Sequence, residues 1–154
     1  LIVGEFEFKC SIGKKGLIRK KVEGDKKTPL GLFELGDVYY RKDKIKLPKI
    51  KIRSIEIKPQ MGWSDDIKFP KKYNKLIKIN KNIHHEKLYR TDRKYDLLIP
   101  IKYNSKKVIL GKGSCIFLHL TRNYKPTAGC IALKEKDFVI MLKLLTKKSK
   151  IKIS

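Results

Sequence analysis

The chain has 154 residues, of which 41% are hydrophobic, so it can bury one core and a single domain over residues 1–154 is expected. Lysine and arginine total 39 against 15 acidic residues, which makes the formal net charge +24 and the surface strongly basic. No apolar run is long enough for a transmembrane helix, and three cysteines without a CxxC pair exclude a disulfide framework.

Strand periodicity dominates the first forty residues. Residues 2–8 (IVGEFEF) alternate between two faces, which predicts a strand, and residues 17–22 (LIRKKV) are expected to return as a hairpin across the turn at 13–16. Residues 23–31 (EGDKKTPLG) are dense in turn formers, and residues 32–40 (LFELGDVYY) are apolar again.

The middle of the chain is more mixed. Residues 44–59 alternate lysine and isoleucine, which predicts one or two strands with one wet face. Residues 61–74 show no period, and residues 82–90 (NIHHEKLYR) are interpreted as a short helix. The runs at 95–104 (YDLLIPIKYN) and 114–120 (SCIFLHL) have the composition of buried strands.

The clearest helix lies near the C-terminus. Residues 134–148 (KEKDFVIMLKLLTKK) place acidic side chains in the first turn and lysines in the last, as the helix dipole favours. Residues 150–153 (KIKI) are expected to form a last strand. Many short strands and one clear helix predict a mainly β fold.

The segment 116–133 (IFLHLTRNYKPTAGCIAL) contains the candidate chemistry. His119 ends one predicted strand, and Cys130 follows Gly129 where a loop meets the next. A hairpin-like return of that loop would bring the imidazole to the sulfur, lower the thiol pKa and aim backbone N–H groups at an oxyanion. From the residues alone, a catalytic pair and two ordinary core residues both stay open.

Other motifs are absent. Residues 111–114 (GKGS) lack the spacing of a phosphate-binding P-loop, and residues 84–88 (HHEKL) lack the second histidine of HExxH. The three histidines and three cysteines show no spacing typical of zinc ligands, so no metal site is expected.

The candidate segment resembles the L,D-transpeptidase catalytic domain of the YkuD family, whose signature is a histidine, a variable stretch and Ser/Thr-x-Gly-Cys. Here these positions are His119 and the tetrad Thr127-Ala128-Gly129-Cys130. Residues 10–35 resemble the family's N-terminal block with its Gly-Asp-x-x-Thr-Pro-x-Gly turn. Further segments resemble a compact branch of the family: GWSDD, YN, HHEKLYR, YDLLIPIKYN and GKGSCIFLHL. The resemblance therefore covers most of residues 10–145.

The resemblance implies a mixed β-sandwich or barrel-like fold with few short helices, and a cysteine acyltransferase that acts on peptidoglycan stem peptides. Cys130 would attack the third residue of a tetrapeptide and release D-alanine, and an amine would take the acyl group from the thioester. His119 would act as the base, and N–H groups around Gly129 would hold the oxyanion. Carbapenem sensitivity and a role in cell-wall biogenesis and cell shape are implied, with no metal or organic cofactor.

Two departures from the commoner family pattern concern the substrate. Ala128 stands where a histidine is frequent, and no arginine follows the cysteine closely, so Arg122 is the candidate to bind a substrate carboxylate. Further candidates for substrate contact are Thr127, Tyr124 and His85. An alternative role for Tyr124 is to shield the site. For His85, the favoured alternative is that it lies on the surface of a helix.

Two other functions stay open beside transpeptidation. Water instead of an amine would resolve the thioester in an L,D-carboxypeptidase or amidase of the same fold. Alternatively, the +24 charge serves a module that binds anionic polymers and carries an inactive site. Only six of the 39 basic residues are arginine, which base-reading sites favour, so no specific nucleic-acid partner is expected.

Location follows from the implied chemistry, which belongs on the periplasmic or cell-wall side of a bacterial membrane. No signal peptide is visible, so a cytoplasmic location stays open. A monomer whose partners are peptidoglycan stem peptides is expected.

Overall fold

Short strands make up most of the regular structure in the computed structural model, which describes all of residues 1–154. In chain order the elements are β1 (Ile2–Val3), β2 (Phe6–Glu7), β3 (Leu17–Ile18), β4 (Thr28–Pro29), β5 (Gly31–Glu34), β6 (Val38–Tyr40), β7 (Ser54–Glu56), β8 (Met61–Ser64), β9 (Lys75–Lys78), β10 (His85–Lys87), β11 (Leu97–Pro100), β12 (Phe117–Leu120), β13 (Ile131–Leu133), α1 (Glu135–Leu144) and β14 (Lys150–Ile153). The predicted mainly β fold with one clear helix near the C-terminus is confirmed, and its sheets are open rather than closed into a barrel.

Five strands form the central sheet, in the order β13-β12-β11-β6-β7. The outer pairs, β12 with β13 and β6 with β7, are parallel, whereas β11 is antiparallel to both its neighbours. Every residue of β11, β12 and β13 is buried, because other layers cover both faces of this part of the sheet. This confirms the buried strands predicted within residues 95–104 and 114–120.

One face of the central sheet packs against the helix. Leu118 and Leu120 of β12 share a hydrophobic cluster with Phe138 and Leu142 of α1, and Ile151 of β14 joins them through the β14–β5 pair. Full burial of each such side chain contributes about 2 kcal/mol to folding. This cluster is the main core, and it lies on the side of the sheet opposite the candidate site.

The other face carries an aromatic cluster beneath the candidate site. Phe117 of β12 is contacted edge-to-face by Trp63 at 5.4 Å and by Tyr95 at 5.6 Å between ring centroids. Trp63 lies on β8, the middle strand of an antiparallel sheet in the order β10-β8-β9. That smaller sheet therefore covers the second face of the central sheet.

The N-terminal strands pair differently from the prediction. Residues 2–8 form a hairpin of their own, β1 with β2, and Gly4 adopts φ +59° between them. Residues 17–22 do not supply its return strand, because β3 pairs in parallel with β4. The hydroxyl of buried Thr28 in β4 accepts the N–H of Gly13 at 2.8 Å, which ties β4 to the segment preceding β3.

Residues 82–90 form no helix, so that prediction is wrong. They contain β10, which is antiparallel to β8 with Glu86 opposite Trp63. A helix this short is marginal alone, whereas pairing with β8 satisfies the backbone of β10. Gly62 on β8 also leaves room for the His85 ring, since a Cβ at Gly62 would lie 2.8 Å from its Cδ2 atom.

The remaining elements agree with the sequence pattern to different degrees. Residues 44–59 contain one strand, β7, and the apparently irregular residues 61–74 begin with β8. The helix lies within the predicted range 134–148 and is shorter than that range. The last strand occupies residues 150–153, as predicted.

Candidate active site

Two neighbouring strands place His119 and Cys130 on the same face of the central sheet. In the parallel pair of β12 and β13, His119 lies opposite Ala132. Side chains alternate between faces along a strand, so Cys130, two residues before Ala132, points to the side of His119. Cys130 accordingly belongs to the aromatic cluster around Phe117.

The loop 121–130 runs back between these two strands. The predicted return of the chain is confirmed, but a hairpin-like geometry is wrong because β12 and β13 are parallel. The N-terminal segment holds this reversal: Thr127 N–H donates to the carbonyl of Ile12 at 2.9 Å, and Lys14 N–H donates to the carbonyl of Thr127 at 2.8 Å. The distant residues 12–14 therefore decide the path of the loop.

His119 and Cys130 both line a cavity of about 730 Å³. Each is only 7% exposed, so protein atoms surround most of both side chains. A cavity of this size accommodates a small peptide fragment. Three of the predicted substrate-binding residues also line it: His85, Arg122 and Thr127.

The predicted substrate-binding side chains differ in their surroundings. Arg122 is exposed and forms no ion pair, so its guanidinium is available to an anion. Tyr124 does not line the cavity; the ammonium groups of Lys9 and Lys134 lie 4.9 and 5.4 Å from its ring. His85 lines the cavity and is half-buried on a strand, so the interpretation as a surface helix residue is wrong.

The imidazole of His119 is oriented by a backbone carbonyl. Its Nδ1–H donates to the carbonyl oxygen of Leu120 at 2.8 Å, which leaves Nε2 as the unprotonated nitrogen. The Tyr95 ring packs edge-to-face on the imidazole at 5.4 Å. Burial lowers the pKa of His119 to about 4. At neutral pH the ring is therefore uncharged, and Nε2 can accept a proton.

The sulfur of Cys130 is held by backbone groups. Phe117 N–H donates to Sγ at 3.4 Å, and the thiol donates to the carbonyl of Cys115 at 3.2 Å. Burial, followed by the negative charge of Glu86, raises the pKa of Cys130 to about 12. The expectation that the imidazole lowers this pKa is wrong for the resting site, because burial raises the pKa and no hydrogen bond joins the sulfur to His119.

Gly129 determines the conformation of the loop before the sulfur. Its φ is +140°, and a Cβ there would lie 2.9 Å from the carbonyl oxygen of Lys27. Gly129 N–H donates to Thr127 Oγ1 at 3.1 Å, and Thr28 Oγ1 donates to the Gly129 carbonyl at 2.9 Å. The N–H of Gly129 is thus already engaged, and the Thr127 hydroxyl donates to the Cys130 carbonyl at 2.6 Å.

A buried lysine behind this loop was not apparent in the sequence. The side chain of Lys21 is 2% exposed, pairs with Asp25 and also donates to the carbonyl of Lys27 at 3.0 Å. Burial acts to raise the pKa of Asp25, but hydrogen bonds from Lys21 and from the backbone lower it on balance. Gly113 and Gly129 both border the Lys21 side chain, where a Cβ would crowd it. These two glycines are the one feature of the sequence that could have indicated a side chain packed behind the loop.

Glu86 and Tyr95 also went unrecognised as a pair. The Tyr95 hydroxyl donates to Glu86 Oε1 at 2.6 Å, and both residues line the cavity. Burial raises the pKa of Glu86 despite this hydrogen bond. Glu86 lies on β10 and Tyr95 lies in the turn before β11, so their contact depends on the tertiary structure.

The structure contains no group of three or more histidine, cysteine, aspartate or glutamate side chains arranged to hold a metal ion. None of its helices combines the length and the hydrophobicity needed to cross a membrane.

Comparison with known proteins gives one match. The family model YkuD, described as L,D-transpeptidase catalytic domain, matches residues 3–153, which is nearly the whole chain. No curated protein and no solved structure matches it.

Proposed function

The chain belongs to the YkuD family of L,D-transpeptidase catalytic domains, and on that premise we propose that it is a cysteine-dependent L,D-transpeptidase acting on peptidoglycan stem peptides. One observation carries the proposal: His119, on β12, and Cys130, immediately before the neighbouring strand β13, face the same cavity. Side chains anchored on packed strands hold their geometry better than side chains on free loops. This is the arrangement that nucleophilic catalysis with a general base requires.

In the first half-reaction, Cys130 Sγ attacks the carbonyl carbon of the third residue of a tetrapeptide donor. His119 Nε2 takes the thiol proton as the C–S bond forms, and it returns this proton to the D-alanine amine as the C–N bond breaks. Because the pKa of Cys130 is about 12 and that of His119 about 4, both groups rest uncharged. Proton transfer therefore accompanies the attack and does not precede it.

The groups around the sulfur have proposed roles in binding. The backbone N–H of Cys130 is the proposed donor to the oxyanion, because Gly129 N–H is engaged by Thr127. Gly129 then serves by holding the loop in the conformation that presents the sulfur. Arg122, which lines the cavity without an ion pair, is the proposed partner of a donor carboxylate.

In the second half-reaction, an amine of a neighbouring stem peptide attacks the thioester and a crosslink forms. We propose that this occurs on the periplasmic or cell-wall side, because the family acts on cell-wall peptide and the substrate lies there. The enzyme is proposed to act as a single-domain monomer. Water in place of the amine makes the same chain an L,D-carboxypeptidase.

Incubation of the purified chain with tetrapeptide muropeptides, followed by mass spectrometry, tests the proposal. Crosslinked dimers and free D-alanine are expected, with both absent in Cys130→Ala and retained in Cys10→Ala, a cysteine that lies outside the cavity lining. Trimmed monomers alone identify a carboxypeptidase. No product, together with binding to an anionic polymer that weakens steeply with salt, identifies a binding module instead.

A further inference from the structure

Glu86 is a carboxyl group in the cavity to which the proposed acylation chemistry assigns no task. It lies on β10, lines the cavity with Cys130 and His119, and receives one hydrogen bond, from Tyr95 to Oε1. Its Oε2 atom makes neither a hydrogen bond nor an ion pair. Glu86 is half-buried, and Oε2 is not enclosed by protein atoms, so this oxygen is free to receive a ligand in the cavity.

The cations near Glu86 do not supply this ligand. The Arg90 guanidinium acts on Glu86 but donates to both oxygens of Asp92, at 3.0 and 2.6 Å. Lys94 lies 3.9 Å from the same Asp92 carboxylate. Asp65, the other charged group that influences Glu86, is paired with His84. In a chain of net charge +24, one cavity carboxylate has thus been left without a cation of its own.

Glu86 is connected to the catalytic pair through one aromatic ring. Tyr95, which donates to Glu86, packs edge-to-face on the imidazole of His119 at 5.4 Å. The charge of Glu86 is also a cause, after burial, of the raised pKa of Cys130 and of Cys115. The carboxyl group therefore lies within electrostatic range of the reacting sulfur.

Transfer to an amine has a proton requirement that His119 alone does not meet. An alkyl ammonium loses two protons when it becomes an amide: one before it can attack, and one as the C–N bond forms. At neutral pH such amines are largely protonated. His119, whose pKa burial lowers to about 4, is a weak acceptor for the first of these protons. A carboxylate whose pKa is raised is a stronger acceptor.

We propose, on the basis of the proposed transpeptidase function, that Glu86 binds the acceptor amine and takes its first proton. Glu86 Oε2 accepts one proton from R–NH₃⁺, which leaves R–NH₂ and a neutral carboxyl group. The amine nitrogen attacks the thioester carbon, so that the C–N bond forms and the C–S bond breaks. The second amine proton passes through His119 Nε2 to the leaving sulfur, and Glu86 then releases its proton to water. The free thiol and one new amide remain.

The charges on the two walls of the cavity agree with this assignment. Arg122 and Lys125, on the loop 121–130, line the cavity without ion pairs and suit the carboxylates of the peptide donor. Glu86 on β10 offers the opposite charge for the cationic acceptor. Donor and acceptor are thus distinguished by charge, and the ligand class assigned to Glu86 is a primary amine.

The test compares Glu86→Gln with Glu135→Gln, a control that removes another cavity-lining carboxylate, one already paired with Arg93 at 3.1 Å. Acylation is followed as carbapenem adduct formation and D-alanine release, and transfer as crosslinked dimers. Glu86→Gln is expected to acylate at close to the wild-type rate but to transfer about 100-fold more slowly, with a matching rise in trimmed monomer. Glu135→Gln is expected to keep the wild-type ratio of dimer to monomer.

A second nucleophile separates proton transfer from simple positioning. Hydroxylamine, which is largely uncharged at neutral pH, needs no base for a first proton and is expected to resolve both acyl-enzymes at similar rates. On acidification, transfer by Glu86→Gln is expected to fall in proportion to the loss of free amine, whereas transfer by the wild type is expected to hold until Glu86 itself is protonated. The same pH dependence in both proteins, or an unchanged dimer-to-monomer ratio in Glu86→Gln, overturns the inference.

Failure of the proposed function has a different signature. A wild-type chain that forms no carbapenem adduct and releases no D-alanine contradicts the enzyme itself. A wild-type chain that acylates but yields only trimmed monomer overturns the role of Glu86 while the cysteine chemistry stands. A wild-type chain that makes dimers, with Glu86→Gln equal to it, overturns the role of Glu86 alone.

Discussion

The thiol of Cys130 donates to the carbonyl oxygen of Cys115 across 3.2 Å, and it does not donate to His119. The sulfur also receives the N–H of Phe117, so backbone groups hold it on two sides. Burial raises the pKa of this thiol to about 12, so it is protonated at neutral pH. In the proposed mechanism, attack requires the S–H bond to turn from Cys115 towards Nε2 of His119, and several measurable consequences follow from that geometry.

Carbapenem labelling is expected to occur at one sulfur. A carbapenem should add one adduct mass to the wild-type chain and none to Cys130→Ala, because Cys130 immediately precedes the strand that pairs with the strand of His119. Intact-protein mass spectrometry with peptide mapping measures this. The double variant Cys10→Ala/Cys115→Ala serves as the control and should keep its adduct. An adduct mapped to Cys10 or Cys115 would contradict the assignment of the nucleophile.

The pH profile of acylation is expected to lack an acid limb near the ordinary histidine pKa. His119 must be uncharged to accept the thiol proton, and burial lowers its pKa to about 4, so the rate should persist as pH falls through 6.5 and decline only near pH 4. Because the pKa of Cys130 is about 12, ionisation of the thiol should not reduce the rate at moderately alkaline pH. An acid limb near 6.5 would instead indicate that burial does not lower the pKa of His119 in the working enzyme.

Folding stability should depend on the same histidine. The pKa of His119 is 6.5 when unfolded and about 4 when folded, so between these values the unfolded chain binds more protons. The free energy of unfolding contributed by His119 is therefore fully present above pH 6.5 and is lost as pH falls towards 4, by roughly 3 kcal/mol. Urea unfolding of wild type and His119→Gln at several pH values measures it. A difference between them that does not change with pH would contradict the prediction.

Gly129 is expected to tolerate no side chain. Gly129→Ala should lower the free energy of unfolding by about 3 kcal/mol and reduce acylation, because its φ is +140° and the new Cβ would lie 2.9 Å from the Lys27 carbonyl. Gly111→Ala is the matched control: its φ is +71°, no atom lies within 4 Å, and a cost of about 1 kcal/mol is expected. Chemical denaturation compares the two, and equal costs would show that the Lys27 contact contributes nothing.

The ion pair behind the loop should show strong coupling in a double-mutant cycle. Lys21→Met leaves the Asp25 carboxylate without its partner and should cost about 3 kcal/mol, since removal of one member of a buried pair leaves a charge uncompensated. Adding Asp25→Asn should recover part of this loss. Urea unfolding of the wild type, both single variants and the double variant provides the cycle, and additive effects would argue against coupling.

Several elements were predictable because local pattern and tertiary environment agree. The apolar runs around Leu98 and Leu118 indicate strands buried on both faces, and they form the centre of the sheet. The helix near the C-terminus shows its amphipathic face and its terminal charges in the sequence. By contrast, His85 and Glu86 lie in a segment that suggested a helix, because the strand β8 that pairs with it carries no local signal.

The sequence by itself determined the mainly β class, the buried strands and the terminal helix, and it predicts the His119 and Cys130 pair, since these depend on local periodicity and on a short motif. Only the tertiary structure decided the protonation of that pair, the parallel return of the loop before Cys130, and the placement of Lys21 and Glu86 beside it. The physical reason is that burial and long-range strand pairing set the pKa values and the neighbours of a side chain. Those quantities depend on residues far away along the chain.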